Sequence, residues 1–139
     1  MPLLRKETAV RSALVFMGIF TAIPVISLIN PSQLASYGVE DPDRVVLTLL
    51  QHRGVLQLVL GASLIYAAFK PDIRVAVALG AILTKSAALL LTASRPDVLA
   101  VASGVFLVFD PICLVLLGAI LADIWLRRRR PGASRSAGA

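Results

Sequence analysis

The sequence predicts an all-α integral membrane protein: an antiparallel four-helix bundle with both termini in the cytoplasm. Three observations predict it. Apolar residues make up 58% of the chain and charged residues 16%, against roughly half and a quarter in soluble domains. The apolar residues fall into four blocks, each close to the roughly 20 residues a helix needs to cross a hydrocarbon core about 30 Å thick. Polar, proline-containing steps separate the blocks, at Asn30-Pro31, Lys70-Pro71 and Arg95-Pro96. A chain of 139 residues divided in this way is one helical unit rather than two domains.

Residues 1–12 read as a short, basic cytoplasmic segment, and the first span as residues 13–29. A basic start followed by an apolar run also suits a signal peptide. However, the run exceeds the usual length of about 7–15 residues, and Gln33 stands where cleavage after Ala35 would require a small residue. A retained helix is therefore expected. Pro24 cannot donate to the carbonyl of Phe20 and should bend this span, which a packed neighbour can compensate. The outer loop, residues 30–42, is the longest connection. Asn30-Pro31 can cap and start a short helix that Gly38 ends, with Leu34 and Tyr37 turned to lipid or to the bundle. Glu40, Asp41 and Asp43 make this loop acidic.

The second span, residues 45–69, has Asp41 as its expected cap and Pro42 in its first turn. Lys70-Pro71 closes it, and Tyr66 and Phe69 sit at interfacial depth. The third span, residues 73–94, stops at Arg95-Pro96-Asp97. The fourth, residues 98–126, brings Trp125 to the interface. Behind it Arg127–Arg130 act as a stop-transfer anchor that can also contact anionic lipid. Residues 127–139 read as a basic cytoplasmic tail, disordered from residue 131, where only Gly, Ala, Ser, Arg and Pro remain.

Charge placement orients the chain. Ten basic residues lie at the termini and the 70–74 turn, whereas Arg44, Arg53 and Arg95 lie on the other side. The positive-inside rule then places both termini in the cytoplasm of a bacterial inner membrane. The short connections after the second and third spans make spans two to four antiparallel neighbours. There is no internal repeat of the kind that builds inverted-repeat transporters.

Two ionisable residues lie within spans, Lys85 and Asp110, with His52 and Arg53 at or just inside the outer boundary. At 1.5 Å per residue, Arg53 and Asp110 both stand roughly 24 Å above the cytoplasmic ends of their helices. Lys85 stands roughly 17 Å up, and its side chain can snorkel further. The three charges thus reach similar heights in the outer half of the membrane. A lone charge at the bilayer centre costs about 3 kcal/mol on insertion scales, so pairing inside the bundle is expected. One acid with two bases leaves a positive excess that suits a lipid phosphate or a carboxylate. The faces agree. Arg53, Gln57 and Gly61 share one, Ala81, Lys85 and Leu89 another, and Ser103, Phe106, Asp110 and Cys113 a third. Gly54, Gly61, Gly80 and Gly104 are expected to let helices approach closely.

Several function classes are excluded or weakened. Cys113 is the sole cysteine, so an internal disulfide and C-x-x-C redox chemistry are ruled out, and Cys113 reads as a packing residue. One His and one Cys do not make a structural metal site, and neither metal nor cofactor is expected. No aromatic or folded basic face accompanies the arginine run, so nucleic acid is not an expected partner. H-x-x-x-H, H-E-x-x-H and G-x-S-x-G are all absent.

The four spans, the long first outer loop, and a second helix carrying Arg53-Gly54 followed by Gly61-Ala62 resemble the DoxX-like group of small four-helix membrane proteins. The resemblance covers most of residues 10–126. It implies the bundle fold and, for some members, links to redox or sulfur metabolism that the lone Cys113 does not support.

The expected function is a non-catalytic one. His52, Arg53, Gln57, Lys85 and Asp110 would bind a membrane lipid, a small hydrophobic (quinone-like) or anionic ligand, or a partner membrane protein. An integral-membrane enzyme acting on a lipid or isoprenoid-like substrate is the alternative, with His52, Asp110 and Lys85 as acid–base candidates. A proton-coupled carrier working as a homo-oligomer is a third. A purely structural ion-pair network among Arg53, Lys85 and Asp110 would use the same residues.

Overall fold

A computed structural model describes residues 2–102 and 104–129. All regular structure among them is helical. The first helix, α1 (Pro2–Ala22), begins well before residue 13, so the basic segment is helical from Pro2 onward. Its first turns have local support: Arg11 Nε donates to Glu7 Oε1 at 3.0 Å, and Thr8 bonds back to the carbonyl of Leu4. At Pro24 the helix tightens into a 3-10 segment, Ile23–Leu28, because proline has no N–H for the α-helical bond. The outer loop then forms the short 3-10 helix Pro31–Tyr37. Asn30 caps it through the N–H of Ser32, and Gly38 ends it at φ 76°. Leu34 is buried, and the Tyr37 ring lies 4.7 Å from that of Phe106, so this loop turns its larger side chains onto the bundle.

Helix α2 (Arg44–Phe69) is capped by Asp43, whose carboxylate accepts from the N–H of Val46 at 2.8 Å, and not by Asp41. Pro42 keeps the preceding residue out of the right-handed helical region, and Asp41 adopts φ 51°. A 3-10 turn, Pro71–Ile73, leads into α3 (Arg74–Ala93). The fourth apolar block is not one helix over residues 98–126. It divides into α4 (Pro96–Val101) and α5 (Gly104–Arg128), with Ala102 extended at ψ 135°. The small residues Ala102, Ser103 and Gly104 offer no large apolar group whose burial would hold that turn in register. Helix α5 also outruns residue 126. Arg127 pairs with Asp123 at 2.8 Å, and the guanidinium of Arg129 lies 3.5 Å from the centroid of the Trp125 ring. The first arginines of the basic run are therefore helical, while residues 130–139, where disorder is expected, lie outside the described residues.

The closest helix contact is between α1 and α2. A Cβ on Gly18 would lie 2.6 Å from the carbonyl oxygen of Gly61, and one on Gly61 would strike the carbonyl of Gly18. A Cβ on Gly54 would lie 2.7 Å from the carbonyl oxygen of Pro24. These glycines let two backbones meet. Gly80 and Gly104 do not do so: a Cβ on either meets nothing within 4 Å. Gly18 takes the role expected of them.

Leu14 and Met17 from α1, Leu64 from α2, Ala81 from α3, and Cys113 and Leu117 from α5 form the centre of the core. The outside is the more telling surface. Leu83 and Val115 are each 72% exposed, and many other large apolar side chains point outward with them. In water so much contiguous apolar surface promotes association, whereas hydrocarbon is its natural surrounding. Four helical stretches are long and apolar enough to cross a membrane: Leu4–Leu28, Arg44–Phe69, Pro71–Ala93 and Gly104–Arg128. The chain is accordingly a helix bundle of membrane type.

Candidate functional site

Lys85 lies one turn beyond Ala81 on the buried face of α3, and Asp110 lies one turn before Cys113 on α5. Lys85 Nζ donates to Asp110 Oδ1 at 2.6 Å, with side-chain exposures of 6% and 14%. The ammonium is also 5.0 Å from the centroid of the Phe109 ring, whose face adds favourable electrostatics. Each charge neutralises the other where neither could stay solvated, so removing one would strand its partner. Pro111, inside α5, has no N–H to offer the carbonyl of Leu107, one turn before.

Arg53 on α2 is exposed. Among the described residues it has no carboxylate partner: the ion pairs are Arg11–Glu7, Arg74–Glu7, Lys85–Asp110 and Arg127–Asp123. It lines two cavities. One is a chamber of about 140 Å³ that Arg53 shares with Tyr37, Thr92, Phe106 and Asp110. The other is a groove of about 710 Å³ between α2 and α3, walled by Leu56, Leu60 and Leu91 with Gln57 and Thr84. Ala88 and Thr92 border both, so they and Arg53 form the partition. Burial raises the pKa of Tyr37 above its ordinary value of 10.0, and the nearby positive charge of Arg53 opposes that rise. The chamber therefore carries two opposite charges and two hydroxyls on a wall that is otherwise apolar, with Leu89, Val98 and Leu107 also lining it. The groove is mainly apolar, with the hydroxyls of Ser63, Thr84 and Thr92 spread over both helices.

Of the residues singled out from the sequence, Lys85 and Asp110 touch, Arg53 lines the chamber that Asp110 also lines, and Gln57 lines the groove one turn further along α2. Arg53 forms no salt bridge with Asp110 within 4.0 Å. His52 is exposed and lines neither cavity. Ser103 lies outside the described residues. Tyr37 and Thr92 join the site without having been marked by charge. Their signals are weaker: a loop aromatic expected to face either lipid or the bundle, and a hydroxyl two turns along α3 from Lys85.

A second ion pair, buried only on its arginine side, stands at the other end of the bundle. Arg74 is 7% exposed. Its guanidinium grips the Glu7 carboxylate with two bonds of 2.6 and 3.0 Å, and it donates to the carbonyls of Ala67 and Ala68 at 2.9 and 2.7 Å. Those carbonyls belong to the last turn of α2, where the helix has no donors left for them. One side chain thus ties α1, α2 and α3 together at the turn. By charge count Arg74 is only one more of the bases expected on the cytoplasmic side. The available signal is that Glu7 is the sole acid before Glu40. No protein-family model, curated protein or solved structure matches the chain, and the candidate site rests on the geometry of its own residues.

Proposed function

We propose that the chain is a bacterial inner-membrane protein that binds an amphiphile with an anionic head group, without transforming it. The observation that carries this reading is Arg53, which has no carboxylate partner among the described residues and stands at the partition between the chamber that Asp110 lines and an apolar groove. An acyl or isoprenoid chain would lie along Leu56, Leu60 and Leu91, and its head would meet the guanidinium. The groove volume of about 710 Å³ is in the range of ligand sites, roughly 300–1,000 Å³. His52 borders neither cavity, which supports binding over acid–base catalysis.

The antiparallel arrangement belongs to the same proposal. Gly18 and Pro24 meet Gly61 and Gly54 in reverse chain order. Lys85 meets Asp110, while Val75 shares a cavity with Trp125. The sequence carries ten bases at the termini and the 70–74 turn, which favours cytoplasmic termini and an Arg53 turned toward the outer leaflet. The glycines after Arg53, Gly61 packing against α1 and Gly54 against the 3-10 segment that follows it, support kinship with the DoxX-like group.

Binding is tested with the purified protein in phosphatidylcholine nanodiscs, using native mass spectrometry to count retained anionic phospholipid. A hydrogen bond to a charged group contributes about 1.5–3 kcal/mol, so Arg53→Gln should weaken retention about 10- to 100-fold. Ala87→Phe, which fills the groove, should weaken it as well. Retention that is indifferent to both changes rejects the reading.

A further inference from the structure

Resting on the lipid-binding reading, we infer that the site selects a phospholipid with one net negative charge and a small hydroxylated head group, a phosphatidylglycerol-type lipid. Two independent features point there. The first is charge. The cluster holds the cations Arg53 and Lys85 and the single carboxylate Asp110, which leaves one positive charge. A monoanionic phosphodiester balances it. A zwitterionic head would bring a further cation to a site that already has an excess, and a dianion would overshoot.

The second feature is the chamber beyond Arg53. A phosphate held at the partition directs whatever is esterified to it toward this space of about 140 Å³, which has room for a small polyol. The chamber offers hydrogen-bonding groups at the right places. Lys85 occupies Oδ1 of Asp110, leaving Oδ2 to accept from a hydroxyl. Tyr37 and Thr92 each bring a hydroxyl that can donate and accept. A head group without hydroxyls would leave these groups facing a space it cannot satisfy.

The experiment compares three lipids, each diluted alone into phosphatidylcholine nanodiscs carrying the full chain, with retention read by native mass spectrometry. Phosphatidylglycerol and phosphatidylmethanol carry the same net charge and differ in hydroxyls. Phosphatidylethanolamine is zwitterionic. The expected order is phosphatidylglycerol first, about 5-fold above phosphatidylmethanol from one or two neutral hydrogen bonds, with phosphatidylethanolamine last. Ala102→Leu, which intrudes on the chamber and not on the groove, should bring the phosphatidylglycerol-to-phosphatidylmethanol ratio close to one. A ratio of one in the unmodified protein, with both anions still preferred over phosphatidylethanolamine, overturns the head-group inference and leaves the broader reading standing. A wild-type ratio that survives Ala102→Leu also overturns it. Equal retention of all three lipids overturns both.

Discussion

Replacing Arg74 by methionine should destabilise the bundle more than any other change at the end where α2 turns into α3. Methionine keeps most of the length and apolar bulk of the stem and removes the fork. Ala67 and Ala68 are fully buried, so water cannot replace the guanidinium at their carbonyls. An unsatisfied buried polar group costs about 1–3 kcal/mol, so two put the loss at roughly 2–6 kcal/mol. Glu7 adds little to that figure, because its side chain is 38% exposed and rehydrates. Glu7→Gln should accordingly cost no more than about 1 kcal/mol. The assay is reversible unfolding in mixed micelles at increasing denaturing detergent, followed by helical circular dichroism. Arg74→Met within about 0.5 kcal/mol of the parent, the ordinary span for a surface change, would refute the assignment of those carbonyls. A Glu7→Gln loss as large as the Arg74→Met loss would show that the ion pair, not the carbonyl contacts, dominates.

Three further outcomes are expected. Asp110→Ala strands Lys85 and should cost roughly 3–5 kcal/mol, while the double change Lys85→Met with Asp110→Leu should recover most of it. The same micelle titration measures both, and a double variant no better than the single would contradict a neutralising pair. Gly61→Ala forces the α1 and α2 backbones apart and should cost about 1–3 kcal/mol, whereas Gly80→Ala meets open space and should gain up to about 1 kcal/mol of helix propensity. In a Tyr66→Phe background, ultraviolet absorbance should show the Tyr37 phenolate forming only above the ordinary 10.0, and Arg53→Gln should delay it further. Because the folded pKa is the higher one, any stability tied to Tyr37 is complete below 10.0 and is lost as pH rises past it. A titration at or below the ordinary value would place Tyr37 in water.

What is legible in the sequence follows from which costs are unavoidable. Apolar blocks of spanning length have one economical fate, and four helices long and apolar enough to cross a membrane are present. Lys85 and Asp110 were readable as partners because a charge at that depth must find an opposite. Arg74 was not, since a base at a membrane boundary can always reach water, and nothing in its neighbourhood marks it as buried. Gly80 and Gly104 show the limit of composition. A small residue permits close approach, but only the face it occupies decides whether anything approaches. Asp41 and Asp43 are equally good caps by type, and the choice between them depends on the backbone at Pro42. The break at Ala102 is marked in the sequence only by a run of small residues, Ala102-Ser103-Gly104, which a membrane helix can equally well contain.

The pairing of Lys85 with Asp110 also constrains how the protein is made. The two residues stand 25 positions apart in the chain, and synthesis runs at about 5–20 residues per second. By that rate Lys85 precedes its counter-charge by roughly 1–5 seconds. During that interval Lys85 carries its insertion cost of about 3 kcal/mol alone. Helix α3 therefore has reason to linger at the insertion machinery, its lysine stretched toward the headgroups, until α5 arrives. The two helices would then enter the bilayer as a unit. In a chain stalled before Asp110, a cross-linker placed in α3 should capture the insertion machinery, while in one stalled after α5 has emerged it should not.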